Sequence, residues 1–162
     1  MNKAVFWDRD GTINIEKNYL YKIDDFEFIP GVIDLMRKFK EEGYLQILIT
    51  NQSGIARGYY SIDDMKKLNE YMQAELNKCG TGFDAIYFCP HHPDGIVKEF
   101  SRECSCRKPG TGLFERAIRD YNIDAHHSIA IGDKARDLIP GEKLGMKTYF
   151  IEDILKKQEK QT

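Results

Sequence analysis

Five short apolar runs recur along the chain, at residues 4–7, 45–49, 86–88, 129–131 and 148–151, and stretches with helical periodicity separate most of them. Alternation of this kind favours parallel strands, because a parallel return to the same sheet needs a crossover of a dozen or more residues, which a helix fills. The chain is therefore expected to adopt an α/β fold with a doubly wound, Rossmann-like parallel sheet flanked by helices. Val32, Leu35, Met36 and Phe39 make an apolar stripe at three-and-four spacing, entered by Pro30-Gly31 and closed at Gly43. A second helix is expected from the N-cap candidate Ser61, with Asp64 three residues on, through Met65, Leu68, Met72 and Leu76 to Gly80. Two more are expected over about 112–121 and 136–144. Pro140 falls inside the last of these and is tolerable only in a first turn, which argues for a later start.

At 162 residues one domain over 1–162 is expected, with no linker, repeat or low-complexity tract. No insertion after the first or third strand is large enough to form a mobile cap. The formal net charge of −2 provides no basic stripe for nucleic acid, and no stretch approaches the roughly 20 apolar residues that span a bilayer. The N-terminus enters a strand directly, without an apolar leader. A cytoplasmic monomer with no nucleic-acid or membrane partner is the expectation. The Lys/Glu-rich tail over 152–162 reads as a solvated helix end.

Doubly wound sheets bind ligands at the carboxyl ends of their strands, so the residues just after each apolar run carry the functional information. Asp8-Arg9-Asp10-Gly11-Thr12 follows the first run, and Thr50-Asn51-Gln52-Ser53-Gly54 follows the second. Gly132-Asp133-Lys134 and then Asp137 follow the fourth, while Arg107-Lys108-Pro109 precedes the third helix. With a strand period of two, Asp8 and Asp10 project to one side and Arg9 to the other. Two carboxylates this close repel unless a cation lies between them or one holds a proton. A turn built from Asp and Gly is the plain alternative for these five residues. A calcium loop counted from Asp8 fails, since it needs Gly where Ile13 stands and Glu where Tyr19 stands.

Hydrolysis of a phosphate monoester needs a nucleophile, neutralisation of the non-bridging oxygens and a proton for the departing alcohol. Asp8 is the candidate nucleophile. Asp10 is the candidate acid and base, its proton retained through crowding by neighbouring carboxylates. A hard, oxygen-seeking Mg2+ would be held by Asp8, by Asp10 through its backbone carbonyl, and by Asp133. Thr50 and the Asn51 amide are candidate phosphate donors, Lys108 supplies a compact positive charge, and Asp137 would orient Lys108 or a metal-bound water.

Cys89-Pro90-His91-His92 and Cys104-Ser105-Cys106 offer three thiolates and an imidazole, the closed four-ligand set that suits structural Zn2+. In a reducing compartment such a cluster reads as a metal site rather than a disulfide framework. The spacers are tighter than the usual two to four residues, and scattered buried thiols beside a surface histidine are the alternative. A zinc here, in a loop over about 89–106, would pin the polar stretch 92–103, which has little apolar content of its own. Cys79 lies outside the cluster.

DRDGT, ITNQSG, CRKP and IGDKARD together resemble the four signature motifs of the haloacid dehalogenase superfamily, in order and separation over about residues 5–150. The longer runs NQSGIARG, CPHHP and CSCRKP are similar to a capless branch that holds sugar-bisphosphate phosphatases of bacterial heptose biosynthesis and is related to histidinol phosphatases. The resemblance implies an aspartyl-phosphate mechanism with Asp8 as nucleophile and Asp10 as acid and base. It implies Asp8, Asp10 and Asp133 around Mg2+, and Thr50 and Lys108 on phosphate. It also implies Zn2+ on Cys89, His91, Cys104 and Cys106, taking His91 over His92. Glu16, Tyr19, Asn51, Gln52, Ser53 and Arg107 fall where the family contacts substrate, and Lys134 where it supports the metal site. Arg57 and Arg107 are the candidates for a second phosphate, since a guanidinium grips a dianion through paired charge-assisted hydrogen bonds. A small phosphorylated sugar is thus the expected substrate. Histidinol phosphate, whose cationic amine such arginines would repel, is the rival substrate, and a zinc-stabilised binding module without turnover is the rival class. The C-terminus is shorter than the resemblance leads one to expect, which leaves open whether a terminal helix covers the sheet edge.

Overall fold

The structure, a computed structural model, describes residues 1–160. The strands are β1 (Ala4–Trp7), β2 (Leu45–Asn51), β3 (Ala85–Cys89), β4 (Ile129–Gly132) and β5 (Lys147–Phe150). They form one parallel sheet in the order β3-β2-β1-β4-β5. Between and after them lie α1 (Val32–Glu41), α2 (Ile62–Lys78), α3 (Gly112–Tyr121), α4 (Ala135–Lys143) and α5 (Ile151–Lys160). Because both faces of such a sheet are covered, its inner strands read as unbroken apolar runs rather than alternating ones. Val5 and Trp7 face one way, with Leu48 and Ile131, against Leu35 and Met36 of α1 and Leu68 and Met72 of α2. Ala4 and Phe6 face the other way, with Ile47, Ile49 and Ala130, against Leu113, Phe114 and Ala117 of α3. The buried amide of Gln46 on β2 is satisfied on both sides: its Oε1 accepts from the Trp7 indole at 2.6 Å and its Nε2 donates to the Met36 carbonyl at 2.7 Å.

Chain order sets the position of the ligand cleft. From β1 the chain proceeds to β2 on one side, and from β4 to β5 on the other, so a crevice opens where the carboxyl ends of these two neighbours diverge. The Ser61–Asp64 capping box forms at the start of α2 as the spacing indicated.

Several boundaries differ from the sequence reading. The last strand stops at Phe150, and Ile151 instead opens α5, with Glu152 and Asp153 in the first turn where the helix dipole favours acids. That helix packs along α1 and beside β5, so a terminal helix does cover this edge; residues 161 and 162 of the expected solvated tail lie outside the described residues. Helix α4 starts at Ala135, earlier than expected, and keeps Pro140 in its interior. An interior proline costs about 3 kcal/mol in helical terms. Here tertiary packing prevails, because Pro140 and Gly141 are buried and Gly141 lies against Ala130 of β4. The stretch 92–103 is also better anchored than its polarity suggests: Phe100 packs on the cluster of Ile55, Tyr60 and Met65, and the Val97 amide donates to the Ala56 carbonyl at 2.9 Å.

Candidate active site

At the divergence of β1 and β4 lies a cleft of about 400 Å3. Asp8, Asp10, Asp133 and Asp137 line it from below, and Arg57, Arg107, Lys134 and Arg136 contribute a basic wall. Beneath the carboxylates sits Lys108, only 2 % exposed. Its ammonium donates to Asp8 Oδ1 at 2.9 Å, to the Ile49 carbonyl at 2.7 Å and to Asp137 Oδ1 at 2.8 Å. An ammonium has three hydrogens, and all three are used by protein acceptors. Lys108 is therefore an internal counter-ion that fixes the Asp8 carboxylate, and it does not line the cleft. Burial opposes its charge, yet the two aspartates hold it above the ordinary lysine value.

The carboxylates show the strain of sharing one place. Burial pushes Asp8 up to about 8, with Lys108 opposing and Asp137 reinforcing the shift. Burial, then hydrogen bonding to Asp137, pushes Asp133 up to about 6. Burial opposes ionisation of Asp137 too, but Lys108, Asp133 and the Lys134 amide keep it below the usual carboxylate range. Two glycines make this crowding sterically possible. A Cβ on Gly11, whose φ is +86°, would lie 2.1 Å from Asp133 Oδ2, and one on Gly132 would lie 2.3 Å from the Asp137 Cβ. Asp8, Asp133 and Asp137 each bring an oxygen to within 4.8 Å of the others, and Asp133 Oδ1 is buried without a hydrogen-bond partner. With all three carboxylates ionised, the single ammonium leaves an excess of two negative charges. A divalent cation with a preference for oxygen fits this donor set.

Asp10 has a different environment. Its Oδ1 accepts from Asn14 Nδ2 at 3.0 Å, its Oδ2 accepts from Gln52 Nε2 at 3.2 Å, and Arg9 Nη2 lies 3.2 Å from both oxygens. Strand alternation had put Arg9 on the far side, but β1 ends at Trp7 and the Arg9 side chain turns back onto its neighbour. The carboxylate crowding expected around Asp10 thus falls on Asp8 and Asp133. The side chains gathered as a potential metal group are those of Asp8, Asp133 and Asp137, whereas Asp10 was expected to contribute its backbone carbonyl.

The other anticipated residues fall at different depths. Thr50 is fully buried, and its hydroxyl accepts from Gln52 Nε2 at 2.9 Å. Asn51 clasps the Lys108 backbone, accepting its N–H at 3.0 Å and donating to its carbonyl at 3.2 Å, so β2 positions the lysine loop. Gln52, Ser53, Glu16 and Tyr19 reach the cleft. Glu16 accepts from the Asn18 amide at 2.8 Å, and Tyr19, at φ +62°, packs edge-on to Tyr59 and under the Arg57 guanidinium. Burial, then the like charges of Arg136 and Arg57, hold Arg107 below the ordinary arginine value. Sequence reasoning missed Arg136 and Tyr60 in the lining and the buried Arg9. For Arg136 the signal was available, because it lies inside the IGDKARD motif.

Beside the basic wall, the four zinc candidates converge. Cys89 Sγ lies 3.0 Å from Cys106 Sγ and 3.4 Å from Cys104 Sγ, Cys104 and Cys106 are 3.1 Å apart, and His91 Nδ1 is 3.3 Å from Cys106 Sγ. A tetrahedral zinc with bonds of about 2.3 Å keeps its sulfurs roughly 3.8 Å apart, close to this spacing. Burial pushes the Cys89 and Cys106 thiols up, the expected behaviour of sulfurs crowded without a cation. Cys79 stays apart, as does His92, whose Nε2 faces Arg57 at 3.2 Å.

This sheet, with its carboxylates at the β1 and β4 ends and a buried lysine between them, defines a haloacid dehalogenase-like phosphatase, a phosphoric monoester hydrolase. The chain belongs to the family described as polynucleotide kinase 3 phosphatase, whose model matches residues 3–160. It is 49% identical over 150 residues to a D-glycero-beta-D-manno-heptose-1,7-bisphosphate 7-phosphatase from Haemophilus ducreyi, covering 92% of this chain and 82% of that one. It is 46% identical over 149 residues to a D-glycero-alpha-D-manno-heptose-1,7-bisphosphate 7-phosphatase from Photorhabdus laumondii, covering 92% and 81%. A crystal structure of D,D-heptose 1.7-bisphosphate phosphatase from B. bronchiseptica, complexed with magnesium and phosphate, superposes with a TM-score of 0.81 at 29% identity, covering 96% of this chain and 86% of that chain.

Proposed function

We propose that this protein removes the 7-phosphate of D-glycero-D-manno-heptose 1,7-bisphosphate, with Asp8 as nucleophile and Asp10 as acid and base. The observation that carries this reading is the division of the carboxylates into two settings. Asp8 is held by Lys108 in a nest of acids, and Asp10 by Arg9, Asn14 and Gln52 in a nest of donors. One oxygen of Asp8 attacks phosphorus as the bond to the ester oxygen breaks, and the departing oxygen takes a proton from Asp10. Water then attacks the phosphorylated Asp8, gives its proton to the Asp10 carboxylate, and the bond between Asp8 and phosphorus breaks. Asp8 and Asp133, with Asp137 behind them, would hold Mg2+, which when bound supplies charge neutralisation for the carboxylates and the phosphoryl oxygens. Zn2+ on Cys89, His91, Cys104 and Cys106 would hold Arg107 and Lys108 in place, one and two residues after its last ligand.

The relatives' names support the heptose bisphosphate, and the basic wall supports a doubly phosphorylated substrate. Histidinol phosphate is disfavoured by the same wall, since its amine would face Arg57, Arg107 and Arg136. Phosphate release from heptose 1,7-bisphosphate, histidinol phosphate and a 3′-phosphorylated oligonucleotide tests the choice. The bisphosphate should exceed both in kcat/KM by about 100-fold or more, roughly two 1.4 kcal/mol steps. Comparable efficiency on either rival transfers the assignment to it. Asp8→Asn should abolish turnover, and retention of more than about a tenth of activity, a barrier change of only about 1.4 kcal/mol, would exclude Asp8 as the nucleophile.

A further inference from the structure

Arg9 is the largest buried charge that the chemistry above leaves unused. Its side chain is 1 % exposed and absent from the cleft lining, so it cannot bind substrate. Burying a guanidinium is costly unless its donors are met, and replacing a buried ion pair by apolar groups is often neutral or stabilising. A charge placed here is therefore poorly explained by stability alone.

Its partners come from separate segments. Nη1 donates to Asn69 Oδ1 on α2 at 3.0 Å, and Nη2 to the Leu20 carbonyl at 3.3 Å and to Gln52 Oε1 at 3.4 Å. The remaining contacts go to Asp10, from Nε to Oδ1 at 3.4 Å and from Nη2, whose two hydrogens are shared among its four acceptors, to both oxygens at 3.2 Å. Gln52 acts in concert. Its Oε1 accepts from Arg9 and from the Tyr60 hydroxyl, which leaves its amide hydrogens for Thr50 Oγ1 and for Asp10 Oδ2. With both Asp10 oxygens held from the core side, the carboxylate can turn only by breaking several bonds at once.

We infer that Arg9 is a positioning residue for proton transfer: anchored by Asn69, Leu20 and Gln52, its guanidinium clamps Asp10 so that the carboxylate meets the leaving oxygen. This rests on the reading of Asp10 as acid and base. A clamp on a general acid matters in proportion to how much the leaving group needs a proton. The sugar alkoxide needs one, whereas p-nitrophenolate departs without it.

The test is kcat/KM on heptose 1,7-bisphosphate and on p-nitrophenyl phosphate for Asp10→Asn, Arg9→Met and Asn69→Ala, with thermal melting to check the fold of each. General acid catalysis is worth about 100-fold to 10,000-fold, so Arg9→Met should lose about 100-fold on the sugar phosphate and less than about 5-fold on the aryl phosphate. Asn69→Ala touches Arg9 but not Asp10, and should show the same selectivity at about 10-fold. Equal losses on both substrates, or no loss on either, would overturn the clamp. If Arg9→Met fails to fold, Asn69→Ala decides by the same criterion. An unselective Asp10→Asn would sink the acid–base reading and the clamp with it. A selective Asp10→Asn beside unselective Arg9→Met and Asn69→Ala removes the clamp alone.

Discussion

Replacing Lys108 by methionine is the most informative single perturbation of this fold. The side chain keeps a comparable length and apolar stem, so the change isolates the ammonium. That ammonium is the only cation touching Asp8 and Asp137 among the described residues, and it also satisfies the Ile49 carbonyl. Removing one partner of a buried ion pair costs about 3–5 kcal/mol, because the remaining charge is desolvated and uncompensated. Protonation of Asp8, already pushed up to about 8, relieves part of that cost, so the lower half of the range is the expectation at pH 7. For a domain of this size about 1 kcal/mol moves the melting midpoint by roughly 2–4 °C, which puts the shift near 6–16 °C. Differential scanning calorimetry of Lys108→Met in buffer without added magnesium measures it. Lys156→Met, which removes an exposed pair with Glu152, serves as the control and should leave the midpoint unchanged. A Lys108→Met midpoint within about 2 °C of the parent protein would refute the counter-ion argument.

Three further outcomes follow from the same geometry. Asp8 and Asp133 have folded values above 3.8, so they favour the protonated folded state; their contribution is complete below that value and is lost as pH rises through about 6 and then about 8. Magnesium-free protein should accordingly lose stability between about pH 6 and 8 while saturating Mg2+ flattens the curve, and a stability that rises over this window without metal would contradict the assignment. Gly11→Ala places a Cβ against Asp133 Oδ2 at a backbone φ of +86°, so calorimetric Mg2+ titration should show affinity weakened about 10-fold or more, and unchanged affinity would count against Asp133 as a ligand. Metal analysis should find one zinc per chain, lost in Cys104→Ser and kept in Cys79→Ser; equal zinc in the two variants would remove the cluster as the binding site.

The periodicities of the chain by themselves determined the layers, the parallel sheet and the helices over 32–41 and 62–78, because strand and helix repeats and the Ser61–Asp64 cap are local in sequence. The converging functional groups were legible for a related reason. Short spacings such as Asp8 to Asp10 and Cys104 to Cys106 place chemistry at a strand end or in one loop whatever the distant packing does, and a parallel sheet gathers its strand ends on one side. What only the tertiary structure decided is which charge meets which. Lys108 takes its acceptors from positions 8, 49 and 137, Arg9 finds Asn69 sixty residues away, and Asp137 joins Asp8 and Asp133 in the three-carboxylate group. Pro140 sits inside α4 because the fit of Gly141 on Ala130 outweighs local helix preference, and Arg9 turns back because the strand has already ended at Trp7. Such pairings depend on the free energy of burying charge among partners far apart in the chain, which spacing along a sequence does not encode.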